Sequence, residues 1–352
     1  MTYKTALSKS KLLTDKQAVK IYKDVVEIYN LAYKDVSGQL AKIYAKYNGD
    51  YNELIKYERL GKLLNSIDKE MSLYNRQATK LLNKNSELNI TDAYYRNQFV
   101  NQRFGAASDI NLSFSALNPY IVESSVYGTA ESWQKIQNDA FLKKWGNPKA
   151  YQAQSGTLTN ELMKKHNVET LTSIRQAITS NLIQGNSYTE SAKQIKNIIG
   201  SGTVTKNAID VDGMMYKALR IAQTEGTRNW NSGAYATDQW YKRQDPDAKR
   251  EWLASLDSST RDSHASLDGV EENENGGWTI GNAFALHPGG FGVAELDIDC
   301  RCTTILKTDI PDNARIARNP ETGKNEVFEW GNYNNWKKMN GLKTDKYGIV
   351  KA

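Results

Sequence analysis

The chain has 352 residues, a net charge of +6 and a hydrophobic fraction of 39%. This length allows two domains, or one long helical body with a compact module. No stretch approaches the roughly eighteen apolar residues that a membrane span requires, so no membrane partner is expected. Residues 1–7 have no apolar core or cleavage signal, and two cysteines make no disulfide framework. We therefore expect assembly in a reducing cytoplasm.

The positive charge lies in the N-terminal part of the chain. Residues 1–150 carry a net charge of +7, whereas residues 151–352 carry −1. Such an excess suits contact with nucleic acid or with an acidic protein surface. Because the lysines are spread out rather than massed in a patch, a solvated helical surface is the simpler interpretation of the charge alone.

Two long helices are predicted first. Apolar residues recur at steps of three and four over residues 14–47, which indicates one amphipathic helix. An Asn-Gly-Asp sequence at residues 48–50 predicts a turn. A second helix is predicted over residues 51–83, and the pair would form an antiparallel helical hairpin.

Residues 94–122 interleave aromatic residues with arginines. This composition suits base stacking beside cations, or packing against a partner protein. A further helix is predicted over residues 123–145. The Gly-Asn-Pro sequence that follows, at residues 146–148, places a domain boundary near residue 150.

Beyond that boundary the predicted helices are shorter. A capping box from Ser187 to Glu190 opens one of them, another begins at Gly213, and a small one has Ser259 as its N-cap. Short strands separated by glycines are also expected. They are predicted at residues 251–256, 270–273, 278–280 and 302–306.

These elements predict an α+β fold. A long N-terminal helical hairpin or bundle would precede a smaller mixed α/β module with short antiparallel strands. The predicted domains are a basic helical domain at residues 1–150, the mixed module at residues 151–310, and an extended, aromatic C-terminal arm at residues 311–352.

Residue types that bind transition metals are concentrated in the strand-rich part. It holds both cysteines, Cys300 and Cys302, and two of the three histidines, His264 and His287. Zinc binds two thiolates and two imidazoles tetrahedrally, so a structural zinc ion is a candidate cofactor. We expect His264 to approach both cysteines, with Asp268 as fourth ligand if His287 points away. Alternatively, buried cysteines and a hydrogen-bonded histidine tie the module together without metal.

Two catalytic arrangements are also conceivable. Either cysteine could act as a nucleophile with His264 and Asp257, although neither is marked by a helix N-terminus or a strained turn that would lower its pKa. Arg220 and Glu225, with the Glu-Asn-Glu sequence at residues 272–274, could serve nucleotide transfer. The sequence contains no phosphate-binding loop or dinucleotide fingerprint, so a helix ion pair and a solvated acidic loop explain these residues better.

An ordered series of motifs runs through residues 216–305. Its members are Arg220, Thr224-Glu225, Asp257, Thr260-Arg261, His264, Asp268-Gly269 and Cys300-Arg301-Cys302. The series resembles the phage Mu F-like minor head protein family, the head morphogenesis proteins of tailed bacteriophages. The residue before Cys-Arg-Cys is commonly asparagine in that family, and here it is Asp299. The resemblance implies structural roles for Arg220, Thr224, Glu225, Asp257, Arg261, Asp268, Gly269 and Arg301.

The same resemblance implies a virion component without enzymatic activity. Such a minor capsid protein would bind the portal protein inside the head, near the portal vertex, and serve head morphogenesis, DNA packaging or DNA ejection. Scaffolding protein, major capsid protein and double-stranded DNA bound without sequence preference are further expected partners. The alternative is an enzyme that acts on nucleic acid or NAD through the Mu F-like module.

Overall fold

The structure is a computed structural model, and the residues that it describes form two compact units. The described residues are 3–105, 112–127, 159–205, 208–255, 259–307 and 333–351. The first unit comprises Met1–Ala18, Lys84–Leu158 and Gln223–Ala352, and the second comprises Val19–Asn83 and Thr159–Ala222. Neither unit is a continuous stretch of chain. The predicted boundary near residue 150 lies outside the described residues and stays a prediction.

The described residues confirm the α+β fold class, with long helices first and short antiparallel strands later. The helices are α1 (Tyr3–Lys46), α2 (Tyr51–Leu54), α3 (Tyr57–Gly105), α4 (Pro119–Val126), α5 (Thr159–Ile183), α6 (Tyr188–Ile199), α7 (Gly213–Tyr241), α8 (Asp262–Ala265), α9 (Ala294–Asp297) and α10 (Tyr333–Met339). The strands are β1 (Gly202–Val204), β2 (Ile209–Val211), β3 (Lys249–Leu253), β4 (Trp278–Ile280), β5 (Ala283–Ala285), β6 (Thr303–Lys307), β7 (Lys343–Thr344) and β8 (Val350–Lys351). None of the described helices is long and apolar enough to span a bilayer.

The N-terminal helices are longer than predicted. Helix α1 has 44 residues and α3 has 49. The turn at residues 48–50 is confirmed, with Asn48 and Gly49 at positive φ. The predicted end of the second helix near residue 83 is wrong, because no glycine or proline interrupts the chain between residues 62 and 104 and nothing ends the helix there.

Contacts inside the first unit show that α1 and α3 are antiparallel. The Tyr3 hydroxyl donates to Asn101 Oδ1 at 2.6 Å, and the Thr14 hydroxyl donates to the Asp92 carboxylate. A step forward along α1 therefore corresponds to a step backward along α3. In the second unit Gln39 Nε2 donates to Glu70 Oε2 at 3.4 Å and the Tyr74 hydroxyl donates to the Asp35 carboxylate, which agrees with the predicted hairpin of residues 14–47 and 51–83.

The aromatic residues of 94–122 are core residues of the first unit, so both predicted uses of this segment are wrong. Tyr94, Tyr95, Phe99 and Phe104 lie on α3 and are buried. Since these rings are enclosed by their own chain, they are not exposed for base stacking or for contact with a partner. The helix predicted over residues 123–145 falls largely outside the described residues.

Residues 333–351 are folded rather than extended. They form α10 and the hairpin of β7 and β8. Trp336 is buried, and its ring lies 6.4 Å from that of Tyr95, 6.0 Å from that of Phe99 and 5.8 Å from that of Phe114. Its indole N–H donates to Gln102 Oε1 at 2.6 Å. The aromatic residues that suggested an arm thus complete the core of the first unit.

The second unit holds most of α1, the first half of α3, helices α5 and α6, and one small hairpin. The capping box of α6 is confirmed, since the Ser187 side chain accepts from the backbone N–H of Glu190 and the Glu190 carboxylate accepts from that of Ser187. Strands β1 and β2 pair as an antiparallel hairpin. Helix α7 begins at Gly213 as predicted.

The strands of the first unit also pair two by two. Strands β3 and β6 form an antiparallel ladder, as do β4 and β5. Residues 270–273 are not a strand in the described structure, which has only an isolated bridge from Glu251 to Glu271 there. The predicted N-cap of the small helix is corrected as well: α8 starts after Arg261 rather than Ser259.

Candidate functional site

The β3–β6 ladder brings the metal-binding residue types together. Its last pair at one end is Leu253 opposite Thr303. The chain that leaves β3 at this end leads to α8, which carries His264, and the chain that enters β6 here carries Cys300 and Cys302. Antiparallel pairing therefore places residues far apart in sequence at one end of the same ladder.

His264 lies beside both cysteines, as predicted. Its Nδ1 is 3.7 Å from Cys300 Sγ and 3.6 Å from Cys302 Sγ. The three atoms all lie within 4.8 Å of one another. His264 is 1% exposed, Cys300 3% and Cys302 2%, so the group is enclosed.

Aromatic side chains surround this group. The ring of Trp252 meets that of His264 edge-on at 5.6 Å, and Phe291 lies 6.1 Å from the same ring. Trp278 stands against Trp252 at 5.5 Å. These rings make the surroundings of the sulfurs apolar and keep water from them.

Hydrogen bonds position the backbone on either side of the cysteines. Asn231, on α7, donates to the Cys302 carbonyl at 3.0 Å and accepts from the Thr303 hydroxyl at 2.8 Å. Arg261 donates to the Ile298 carbonyl at 2.6 Å. Sequence reasoning missed Asn231, because a lone buried asparagine on a helix has no signature in a single sequence.

The departure at Asp299 is explained by its backbone. Asp299 has φ +56°, the left-handed region that asparagine and aspartate adopt more readily than other residues with side chains. Its N–H donates to the Thr224 hydroxyl at 3.2 Å. Asparagine and aspartate can both adopt this backbone conformation, so Asp299 preserves the geometry of the Cys-Arg-Cys segment that follows it.

The two thiols differ in acidity. The hydrogen bond with Cys300 lowers the pKa of the Cys302 thiol. Burial raises this pKa, but the hydrogen bond with His264 lowers it further, so the net shift is downward. The pKa of Cys300 is raised, by its hydrogen bond to Cys302 and by burial. An acidic thiol beside an imidazole resembles a nucleophile, but enclosure of both sulfurs leaves no access for a substrate. Asp257, the acid predicted for that role, lies outside the described residues.

His287 is not part of the group, contrary to its predicted role as fourth ligand. Among the described residues only His264, Cys300 and Cys302 bring their ligand atoms together. The Nδ1 of His287 lies 3.0 Å from the Pro288 carbonyl, and its ring packs 6.4 Å from that of Tyr235. Burial lowers the pKa of His287 to about 3. Asp268, the alternative ligand, accepts from the Ala254 N–H at 2.9 Å instead.

A buried charge network lies in the same module. Arg250 is fully buried, with its Nε 2.8 Å from Glu272 Oε2. Its guanidinium stands 4.6 Å from the ring centre of Tyr235 and 5.0 Å from that of Trp278. Glu272 also accepts from Lys242. The sequence predicted a solvated acidic loop here, and for Glu272 this is wrong.

The charged motif residues on α7 differ in their surroundings. Glu225 is buried and accepts from Arg228 Nε at 3.0 Å and Nη2 at 2.7 Å. The same guanidinium donates to the Ser125 carbonyl at 2.9 Å. The predicted helix ion pair therefore exists, but its cation is Arg228. Arg220 is exposed, and its guanidinium lies over the Tyr216 ring.

The remaining motif residues shape the turn after α8 and the cysteine loop. Gly269 has φ +76°, which glycine adopts without strain, and its N–H donates to the Trp252 carbonyl at 2.9 Å. Arg301 is exposed between the two buried cysteines. Side chains alternate between the two sides of this extended segment, so both thiols point into the core and the Arg301 guanidinium points outward.

Comparisons with known proteins agree with these motifs. Residues 172–305 match the family model described as phage Mu protein F like protein. The minor head protein GP7 of Bacillus phage SPP1 is 26% identical over 323 residues, which cover 89% of this chain and 90% of that protein. The NAD(+)–arginine ADP-ribosyltransferase EFV of Enterococcus faecalis is 28% identical over 217 residues, 62% of this chain but only 40% of that protein's length. No solved structure matches significantly.

Proposed function

We propose that this chain is a minor head protein of a tailed bacteriophage and acts in head morphogenesis. Residues 172–305 match the phage Mu protein F-like family model. The observation that carries this proposal is the similarity to minor head protein GP7. It extends over 89% of the chain and thus includes the N-terminal helices as well as the cysteine-bearing module. A minor head protein is a component of the virion.

The finer proposal is that the chain binds the portal protein inside the capsid, near the portal vertex. Scaffolding protein and major capsid protein are further proposed partners, and roles in DNA packaging or ejection would follow from this position. The support is the family resemblance alone. Trp336 and its aromatic neighbours are buried in the first unit, so the described aromatic residues of 333–351 add no support for a portal contact.

Co-expression with the portal protein of the same phage tests this assignment. We expect the full-length chain to co-purify with the portal protein and to enter procapsids made from both. A portal protein from an unrelated phage, expressed at the same level, is the control and should retain none of the chain. Failure to co-purify and failure to enter procapsids would together refute the assignment.

Double-stranded DNA is a further proposed partner, bound without sequence preference. Its support is the net charge of +7 on residues 1–150. The burial of Tyr94, Tyr95 and Phe99 removes base stacking as a contribution. Only phosphate neutralisation by lysine and arginine side chains is then available, and this makes affinity strongly dependent on salt.

An enzyme acting on NAD is the second candidate, which the similarity to an ADP-ribosyltransferase favours. Three observations oppose it. More than half of that relative lies outside the match. Glu225 is buried and paired with Arg228. Glu272 is buried and paired with Arg250 and Lys242, so neither predicted carboxylate is available to a substrate.

One set of assays separates these candidates. The purified full chain is incubated with labelled NAD and an arginine-rich acceptor protein, and separately with duplex DNA at two salt concentrations. We expect NAD to remain intact, and DNA to be bound but not cleaved, with affinity that falls as salt rises. Turnover of NAD that a Glu225→Gln variant abolishes would establish the enzyme instead. Absence of DNA binding even at low salt would remove DNA as a partner.

A further inference from the structure

We propose that His264, Cys300 and Cys302 bind one zinc ion, through His264 Nδ1 and the two Sγ atoms. The proposal concerns the architecture of the cysteine-bearing module and does not rest on the virion assignment. It replaces the four-ligand set predicted from the sequence, because His287 bonds to the Pro288 carbonyl and lies outside the group.

The distances between the ligand atoms are those of a tetrahedral zinc site. Zinc lies about 2.3 Å from a thiolate and about 2.0–2.1 Å from an imidazole nitrogen, and two such bonds at the tetrahedral angle span about 3.6 Å. The observed separations of Nδ1 from the two sulfurs are 3.7 Å and 3.6 Å. Both separations fit one ion bound to Nδ1 and a sulfur, and the two sulfurs themselves lie within 4.8 Å of each other.

The backbone holds this geometry through contacts of its own. Asn231 fixes the Cys302 carbonyl, and the Thr224 hydroxyl accepts from the Asp299 N–H on the other side of the cysteines. Trp252 and Phe291 limit the motion of the His264 ring. Such preorganisation reduces the conformational entropy lost on binding.

The donor set and its burial together select the kind of metal. Thiolate and imidazole favour zinc and similar transition metals over Mg²⁺ and Ca²⁺, which require oxygen ligands. Two thiolates and a neutral imidazole make the complex with Zn²⁺ electrically neutral, which suits an apolar enclosure where a net charge would be costly. No histidine, cysteine, aspartate or glutamate of the described residues supplies a fourth ligand. Because all three ligands are buried, we assign the ion a structural role.

Such an ion would add a tie between two segments that the β3–β6 ladder and the hydrogen bond from Arg261 to the Ile298 carbonyl already bring together. His264 belongs to the chain that leaves β3, and the cysteines belong to the chain that enters β6. Metal binding would therefore close the open end of a two-stranded ladder, which has few hydrogen bonds to hold it.

Metal content of the full chain is the direct test. The protein is produced without a metal-binding affinity tag in zinc-supplemented medium, desalted, and analysed for metals by elemental mass spectrometry. We expect one zinc ion per chain. Exchange for Co²⁺ should give a sulfur-to-cobalt charge-transfer band and the intense visible bands of a tetrahedral site. Chelation should remove the zinc and lower the melting temperature, and added zinc should restore it.

Variants then locate the ion. His264→Ala, Cys300→Ser and Cys302→Ser should each lose stoichiometric zinc, whereas the matched control His287→Asn should keep it. Loss of stability alone would not distinguish a zinc site from a hydrogen-bonded core, so metal content is the deciding quantity. Wild-type protein that contains no zinc and whose melting temperature is unchanged by a chelator would overturn the proposal. Full zinc content in Cys302→Ser would overturn it as well.

Discussion

Glu272→Gln is expected to lower the free energy of unfolding by about 3–5 kcal/mol, the usual cost of breaking a buried ion pair by removing one partner. The amide keeps the shape of the carboxylate but not its charge. The Arg250 guanidinium would stay fully buried without its hydrogen-bonded counterion, since its other hydrogen bonds go to the Leu286 and Gly276 carbonyls. Urea-induced unfolding, followed by circular dichroism, measures the loss.

Two further variants test whether the loss of stability comes from the buried ion pair of Glu272 and Arg250. Glu274→Gln removes an exposed carboxylate two residues away and should change stability by less than about 0.5 kcal/mol. The double variant Arg250→Met, Glu272→Gln should cost less than Glu272→Gln alone, because the fully buried charge of Arg250 is removed together with its partner. If Glu272→Gln costs no more than Glu274→Gln, the network does not stabilise the module.

The same carboxylate makes stability depend on pH in a defined direction. Burial by itself would raise the pKa of Glu272, but the charges of Arg250 and Lys242 outweigh it, so the pKa is lowered. A folded-state pKa below the unfolded-state value means that this stabilisation is complete above the unfolded value, about 4.3. It is lost as the pH falls through the folded-state pKa. The difference in stability between wild type and Glu272→Gln should therefore narrow in acid.

Gly233→Ala is expected to destabilise the first unit by at least the 1–3 kcal/mol that is typical of overpacking. Gly233 lies on α7, where an added Cβ would stand 2.2 Å from the Ile90 carbonyl oxygen and 3.0 Å from the Ala93 Cβ. Because the nearer obstacle is backbone of α3, the two helices would have to move apart. Thermal and urea-induced unfolding of the purified variant measure the effect.

The chain offers a matched control for this substitution. Gly38 is also in a long helix, α1, and an added Cβ there would meet nothing within 4 Å. Gly38→Ala should therefore raise stability by about 0.5–1 kcal/mol, the ordinary preference of a helix interior for alanine. Equal effects of the two variants would show that helix α7 does not depend on close approach at Gly233.

The sequence predicted turns and helix starts correctly where a few neighbouring residues determine them. The turn at residues 48–50, the capping box at Ser187 and the start of α7 at Gly213 all follow from neighbouring residues. Strands β7 and β8 were missed because they have two residues each, too few for an alternating pattern. The second helix continues past its predicted end because the aromatic and arginine residues of α3 are as compatible with a helix as those before them, so a change of composition marks no boundary.

The candidate metal site was predictable in part from the sequence. The rarity of cysteine and histidine pointed to His264, Cys300 and Cys302, which the structure brings together. His287 was predicted wrongly because the path of its loop depends on packing against Tyr235, which no sequence pattern records. Arg250 and Asn231 were not predicted because a sequence does not distinguish a buried arginine or asparagine from an exposed one. Their burial depends on partners far along the chain, such as Glu272 and Cys302.

The burial of Trp336 against helix α3 has a consequence for synthesis of the chain. The hydrogen bond from Trp336 to Gln102 joins residues 234 positions apart. At about 5–20 residues per second, a ribosome needs roughly 12–47 seconds to make the intervening chain. During that time the aromatic face of Tyr95 and Phe99 lacks its cover, so we expect nascent chains that stop before residue 333 to be the ones that chaperones retain.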